Sequence, residues 1–137
     1  MLQQKTSCEF VHSYTDEKPV LVNFGATWCG PCVEEFPYLM ELNKKYEGQF
    51  VLIFVSCDFD EARSEAMKFL EEQGVNFTTY FKTGKDNEFI QAISPHWSGA
   101  LPYNVIYNKP GNVSDSWEGK ADFSTFEKAL KSVLQAQ

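Results

Sequence analysis

Apolar residues in this chain fall alternately into short continuous runs and helically spaced stripes. The run Pro19-Val20-Leu21-Val22-Asn23-Phe24 is uncharged and rich in β-branched residues, which predicts a buried strand over 20–24. Beyond it Val33, Phe36, Leu39, Met40 and Tyr46 share one stripe, predicting a helix over 30–46 that Gly48 ends. Pro37 falls inside that helix and should kink it, because proline removes one backbone hydrogen bond. Phe50-Val51-Leu52-Ile53-Phe54-Val55 predicts a second buried strand over 50–56. Ala62, Ala66, Phe69 and Leu70 then predict a helix over 61–73, stopped by Gly74. A short strand is expected over 75–81, a turn at Thr83-Gly84-Lys85-Asp86, and one or two helical turns between Glu88 and Ile93. Strands over 103–107 and 113–117 are joined by the turn Asn108-Lys109-Pro110-Gly111. Phe123, Phe126, Leu130, Val133 and Leu134 mark a last helix over 122–134, with Asp122 near its start. Residues 1–18 are the least regular, although Ser7 is placed to cap a short helix reaching Tyr14.

Strand, helix, strand, helix, hairpin, helix is an α/β order, and it predicts a central mixed sheet with helices on both faces. A right-handed crossover makes the first two strands parallel, while the short turn makes the last two antiparallel. At 137 residues the chain is expected to form one domain, 1–137, with 1–18 as a poorly defined N-terminal segment. Hydrophobic residues make up 43% and aromatics 15%, enough to bury a core, which argues against disorder. A net charge of −7 argues against nucleic acid and anionic membrane surfaces as partners. No apolar run is long enough for a membrane span, and a monomer is expected. The polar, charge-interrupted residues 1–18 do not read as a secretory leader, which leaves a cytoplasmic protein or one trimmed of its leader.

The chemistry sits where the first strand meets the first helix, at Trp28-Cys29-Gly30-Pro31-Cys32. Pro31 suits a first helical turn, where a missing N–H leaves no bond unmade. Unpaired backbone N–H groups and the helix dipole at such a place favour a thiolate, so Cys29 should be exposed, low in pKa and nucleophilic. Cys32, one turn inward and partly buried, is placed to attack a mixed disulfide formed on Cys29. Gly30 and Pro31 offer little side chain to cover the pair. The four cysteines, at 8, 29, 32 and 57, are too unevenly spaced for a disulfide framework, and no second close pair exists to complete a zinc site. No metal or organic cofactor is therefore expected. Cys57, closing an apolar run, reads as a buried inert thiol, and Cys8 as an unbonded one, a bridge between them being the lesser alternative.

The stretch Asn23-Phe24-Gly25-Ala26-Thr27-Trp28-Cys29-Gly30-Pro31-Cys32 resembles the thioredoxin superfamily, and most closely its TlpA/ResA-type branch. Gly99-Ala100-Leu101-Pro102-Tyr103-Asn104-Val105-Ile106-Tyr107 resembles the cis-proline loop of that family and the strand after it. The resemblance implies a thioredoxin-like fold, the Pro37 kink, and an extra segment within 82–98. It also implies that Pro102 is cis, with Leu101 presenting backbone to which a bound peptide adds as a strand. A trans proline at a strand edge is the plainer alternative. Trp28 flanks the pair as apolar surface for a partner, or else is a core aromatic. Many thioredoxins carry a buried aspartate at the place of Asn23, and asparagine cannot accept and return a proton as a carboxylate does. Glu35, three residues after Cys32, matches a glutamate that the ResA-type branch places near its cysteines. Ionised, it would raise the thiol pKa by repulsion; the alternative is a solvated helix residue, as expected for Glu34. Gly25 stands where the family often has a bulky residue, which would open one side of the site. His96-Trp97, ahead of the proline loop, reads as a loop histidine and a core tryptophan, or as a partner contact.

These residues imply a thiol–disulfide oxidoreductase acting on protein thiols and disulfides, reductive by resemblance. Apocytochrome or other extracytoplasmic proteins would be its clients, and an electron-donor redox protein would recharge it. The location implied is extracytoplasmic, periplasmic or membrane-anchored, with a cytoplasmic one as alternative. A binding or chaperone module with an inert cysteine pair is the rival reading. A thiol peroxidase of related fold is disfavoured by the adjacent Cys-Gly-Pro-Cys pair.

Overall fold

The computed structural model describes residues 2–4, 18–77, 79–81, 97–109 and 112–135. Along the chain these form β1 (Leu2–Gln4), β2 (Val20–Gly25), α1 (Gly30–Lys45), β3 (Val51–Ser56), a 3-10 turn (Asp60–Ala62) and α2 (Arg63–Glu72). After these come β4 (Thr79–Phe81), β5 (Tyr103–Lys109), β6 (Asn112–Glu118) and α3 (Phe123–Gln135). The strands make one sheet in the order β1-β4-β3-β2-β5-β6. β2 and β3 run parallel, as a helical crossover requires, and β5 and β6 antiparallel, as their short turn requires. The expected α/β mixed sheet is present, widened at one edge by β1, which pairs parallel with β4.

Alternation along the central strands divides the core in two. Val20, Val22 and Phe24 face one way, into a layer with Ile53, Val55, Tyr103, Val105 and Tyr107. Leu21 faces the other, with Leu52, Phe54 and Ile106, and meets α1 through Phe36, Leu39 and Leu42 and α3 through Phe126, Leu130 and Val133. α2 joins that second layer through Leu70. Each fully buried Phe or Leu contributes about 1.5–3 kcal/mol.

Several expected elements differ in extent. The strand foreseen over 75–81 is confined to Thr79–Phe81, because the Val75 N–H turns back to the Leu70 carbonyl at 3.0 Å and closes the end of α2. The helix foreseen from residue 61 opens as the 3-10 turn and becomes α-helical only at Arg63. α1 is a single helix through Pro37, which faces solvent. Asp122 caps α3, accepting from the Thr125 N–H and hydroxyl at 2.9 Å each. The helix expected at Ser7–Tyr14, Cys8, the turn at 83–86, the turns between Glu88 and Ile93, and His96 lie outside the described residues.

Candidate active site

β2 ends at Gly25, and a short loop later Cys29 becomes the N-cap of α1, with extended backbone (φ −95°, ψ 108°). Cys29 and Cys32 form a disulfide, their Cα atoms 5.3 Å apart. The Cys32 N–H donates to Cys29 Sγ at 3.3 Å, so this sulfur fills the acceptor place that Ser or Asp takes at other helix starts. Unpaired N–H groups and the helix dipole favour negative charge there, which stabilises a Cys29 thiolate once the bridge is reduced. Pro31 occupies the first turn, and Gly30 and Pro31 are both exposed.

The expectation of an exposed Cys29 is corrected in this oxidised state: Cys29 and Cys32 are each 6% exposed. The sulfur is bonded inward to Cys32, and both residues pack with Ala26 and with Leu101, whose side chain thus matters as well as its backbone. Gly25 does not open the site either. A Cβ there would lie 3.3 Å from Cys32 Cβ and 3.3 Å from Phe54 Cε1, so the space a bulky residue would need is already filled.

The Leu101–Pro102 peptide is cis, and Leu101 stands against the disulfide. Hydrogen bonds fix this loop, among them Trp97 Nε1 donating to the Ala100 carbonyl at 2.9 Å, the Ser98 hydroxyl to Glu118 Oε1 at 2.6 Å, and the Gly119 N–H to the Pro102 carbonyl at 2.8 Å. Trp97 is a buried core residue stacked on Tyr103 at 4.6 Å, so it offers little to a partner.

Glu35 is fully buried, which removes the solvated-residue alternative. Helical spacing turns it inward beside Phe36, under β2 and β5. Its Oε2 accepts from Asn23 Nδ2 at 2.8 Å and Asn104 Nδ2 at 3.4 Å, and its Oε1 accepts the Ala121 N–H at 3.1 Å. Burial pushes its carboxyl pKa above the ordinary value; these donors and the nearby Lys120 oppose that without cancelling it. Asn23 is thus no proton acceptor but a donor to the acid beside it. Glu34 is exposed and pairs with Lys120 at 3.2 Å.

Trp28 is 59% exposed and Phe59 58%, and their rings stack with centroids 6.4 Å apart. A core role for Trp28 is therefore overturned. The two loops that carry these rings are joined by the buried Asp58: Oδ1 accepts from the Thr27 N–H at 3.0 Å and the Thr27 hydroxyl at 2.5 Å, and Oδ2 from the Ser56 hydroxyl at 2.6 Å. Asn104, Asp58 and Phe59 escape a reading of the sequence. Asn104 has one signal there, a lone polar residue in Tyr103-Asn104-Val105-Ile106-Tyr107 on the alternation that faces α1. Cys57 is buried outside the bridge, its N–H donating to the Gly25 carbonyl at 2.8 Å. Among the described residues no cluster of His, Cys, Asp or Glu is placed to hold a metal ion, and no helix is long and apolar enough to cross a membrane.

The profile of the redoxin family matches residues 4–130. The thiol-disulfide oxidoreductase ResA of Bacillus anthracis is 31% identical over 116 residues, covering 85% of this chain and 64% of that protein. ResA of Geobacillus thermodenitrificans is 30% identical over 124 residues, covering 89% of this chain and 68% of that protein. Among solved structures, a thioredoxin-family thiol:disulfide interchange protein of Chlorobium tepidum superposes with a TM-score of 0.72 at 25% identity, covering 85% of this chain and 80% of that one. A DsbF homologue of Corynebacterium diphtheriae gives 0.71 at 18% identity, over 88% and 74% of the two chains. The expected thioredoxin-like fold is thereby established.

Proposed function

Because this chain belongs to the redoxin family, in its ResA-like branch, we propose that it is a thiol–disulfide oxidoreductase reducing protein disulfides by dithiol–disulfide exchange. The observation that carries this reading is the Cys29–Cys32 bridge, which caps a helix and lies against the residue that precedes a cis-proline.

In the reduced protein the Cys29 thiolate attacks one sulfur of a client disulfide. A Cys29–client bond forms, the client S–S bond breaks, and the second client sulfur leaves as a thiolate. Cys32 then loses its proton and attacks Cys29 Sγ, forming the bridge seen in the structure and releasing the first client sulfur. Two electrons pass from the pair to the client; the proton lost by Cys32 goes to one departing client thiolate, and the other takes its proton from water. Trp28, Gly30 and Pro31 form the exposed surface a client meets, and Leu101 and Pro102 supply the backbone along which it lies. Glu35, one turn from Cys32, takes up or repels charge as the thiols titrate. The dithiol is restored by a reduced redox protein, and the reaction needs only one copy of the chain. We place it outside the cytoplasm on the strength of the ResA resemblance.

Reduction of insulin by dithiothreitol tests this. The protein should accelerate it, and Cys29→Ser should abolish the acceleration; a wild-type rate at background would favour a binding module. Equilibration against glutathione should give a midpoint near about −270 mV, whereas one near about −120 mV would make the protein an oxidant.

A further inference from the structure

The hydrogen bonds around Glu35 connect it to the proline loop by two routes. Asn104 stands two residues beyond Pro102 on β5, directly across the ladder from Asn23 on β2, and both asparagines are sealed from solvent. Asn104 Nδ2 lies 3.4 Å from Glu35 Oε2, and its Oδ1 accepts from Asn23 Nδ2 at 2.8 Å. Asn23 Nδ2 reaches the same Glu35 oxygen at 2.8 Å, so two amides and one carboxyl close a triangle. By the second route, Ala121 N–H holds Glu35 Oε1 at 3.1 Å, and Gly119, two residues earlier, holds the Pro102 carbonyl at 2.8 Å.

Every neighbour in this arrangement donates, so the cluster as it stands suits the ionised acid. An amide, however, can be reversed: a half-turn puts its carbonyl where its N–H was. If both amides turn, Asn23 Oδ1 accepts from protonated Glu35 and from Asn104 Nδ2, while Asn104 Oδ1 comes to face Glu35 Oε2 and gives up the contact that its Nδ2 made. Among the described residues the charged groups nearby are Lys120 ahead of α3 and Glu34 on α1, paired with each other at 3.2 Å. Cys32 is the titratable group one turn back on the same helix, and Asp58, beyond β3, is committed to Thr27 and Ser56. β2 and β5 present only the two amides to the carboxyl.

We propose that Asn104 is a positioning residue for the exchange reaction, acting with Asn23 to let the Glu35 carboxyl stand with or without its proton beside Cys32, and so setting the pH range over which the cysteine pair reacts. The inference rests on the role given to Glu35 above.

The test compares Asn104→Val with Asn104→Thr, which differ by a methyl against a hydroxyl able both to donate and to accept. The readout is the pH profile of iodoacetamide alkylation at Cys29 in the reduced protein, with folding checked by circular dichroism. Without its Asn104 donor Glu35 keeps its proton to higher pH, the repulsion on the thiolate falls, and Cys29 reacts at lower pH. Asn104→Val should move the midpoint down by about half to one pH unit, roughly three- to tenfold faster alkylation at a fixed pH below it. Asn104→Thr should hold the wild-type profile, Glu35→Gln should move it at least as far as Asn104→Val, and adding Asn104→Val to Glu35→Gln should move it no further. If Glu35→Gln leaves the profile unmoved, the reading of Glu35 fails and this inference with it. If Glu35→Gln moves it while the Val and Thr profiles coincide, or Asn104→Val still shifts the profile in the Glu35→Gln background, the inference about Asn104 fails alone. Should Asn104→Val not fold, Asn104→Ala against Asn104→Ser makes the same comparison.

Discussion

Replacing Glu35 with glutamine should change the way the stability of the oxidised protein depends on pH. The carboxyl is fully buried, and burial raises its pKa above the ordinary 4.5 despite its three N–H donors. The folded chain therefore keeps a proton at pH values where the unfolded chain has lost it. Stability from that proton is whole below about 4.5 and is lost as pH rises through the folded value, at a slope of at most about 1.4 kcal/mol per pH unit. Above the folded value the loss is complete and constant. Glutamine has no proton to lose, so its curve lacks this descent.

The substitution also changes the hydrogen bonding. The glutamine side chain keeps an oxygen for the Ala121 N–H, and its amide can donate to the Asn23 and Asn104 amides once they turn, as the protonated acid does to Asn23. At low pH the two side chains should therefore differ by no more than one hydrogen bond, about 1 kcal/mol. Glu35→Gln should thus lie within about 1 kcal/mol of wild type at pH 4. Relative to wild type it should gain as pH rises, because only wild type loses a buried proton. Urea unfolding of both oxidised proteins from pH 4 to 8 measures this, since every other titrating group cancels in the difference. A difference that stays the same at both ends would refute the claim that burial holds a proton on this carboxyl.

Three further outcomes follow from the packing. Phe126→Ala empties a fully buried site against Trp117 and should lower unfolding free energy by about 3–5 kcal/mol in urea; a loss under about 1 kcal/mol would mean the cavity collapses. Asp58→Ala leaves the buried Ser56 hydroxyl and the Thr27 N–H without their acceptor and should cost about 2–3 kcal/mol by thermal unfolding, with no loss refuting its role as the tie between the loops. Trp28→Ala, at an exposed position, should change stability by less than about 0.5 kcal/mol while raising KM for insulin reduction, and an unchanged KM would remove Trp28 from the client surface.

The strands and helices legible in the sequence are those whose apolar spacing agrees with their final surroundings. β2, β3 and α3 are of this kind, as is the Cys-Gly-Pro-Cys pair, because a strand end, two cysteines and a helix start are contiguous. Contacts closed across the fold are not legible. Nothing local tells that Asn104 lies opposite Asn23, since that depends on the register of β2 and β5, 81 residues apart in sequence. By its spacing alone Glu35 could equally face water, because one turn of helix cannot say what packs above it. Gly25 misleads for a similar reason: its missing side chain leaves room that Phe54, on the next strand, and Cys32 take up. β1 is three residues long, too short for alternation to stand out.

The carboxylate of Asp58 clamps one loop to another beneath the two outward-facing rings. Whatever docks on Trp28 and Phe59 therefore meets a rigid plate rather than two independently swinging groups, and the freedom surrendered on contact comes mostly from the visitor. A slack, extended polypeptide can mould itself to such a plate and bring its sulfurs to Cys29. A compact domain with its disulfide sheltered inside cannot, so incompletely folded chains should be the natural quarry.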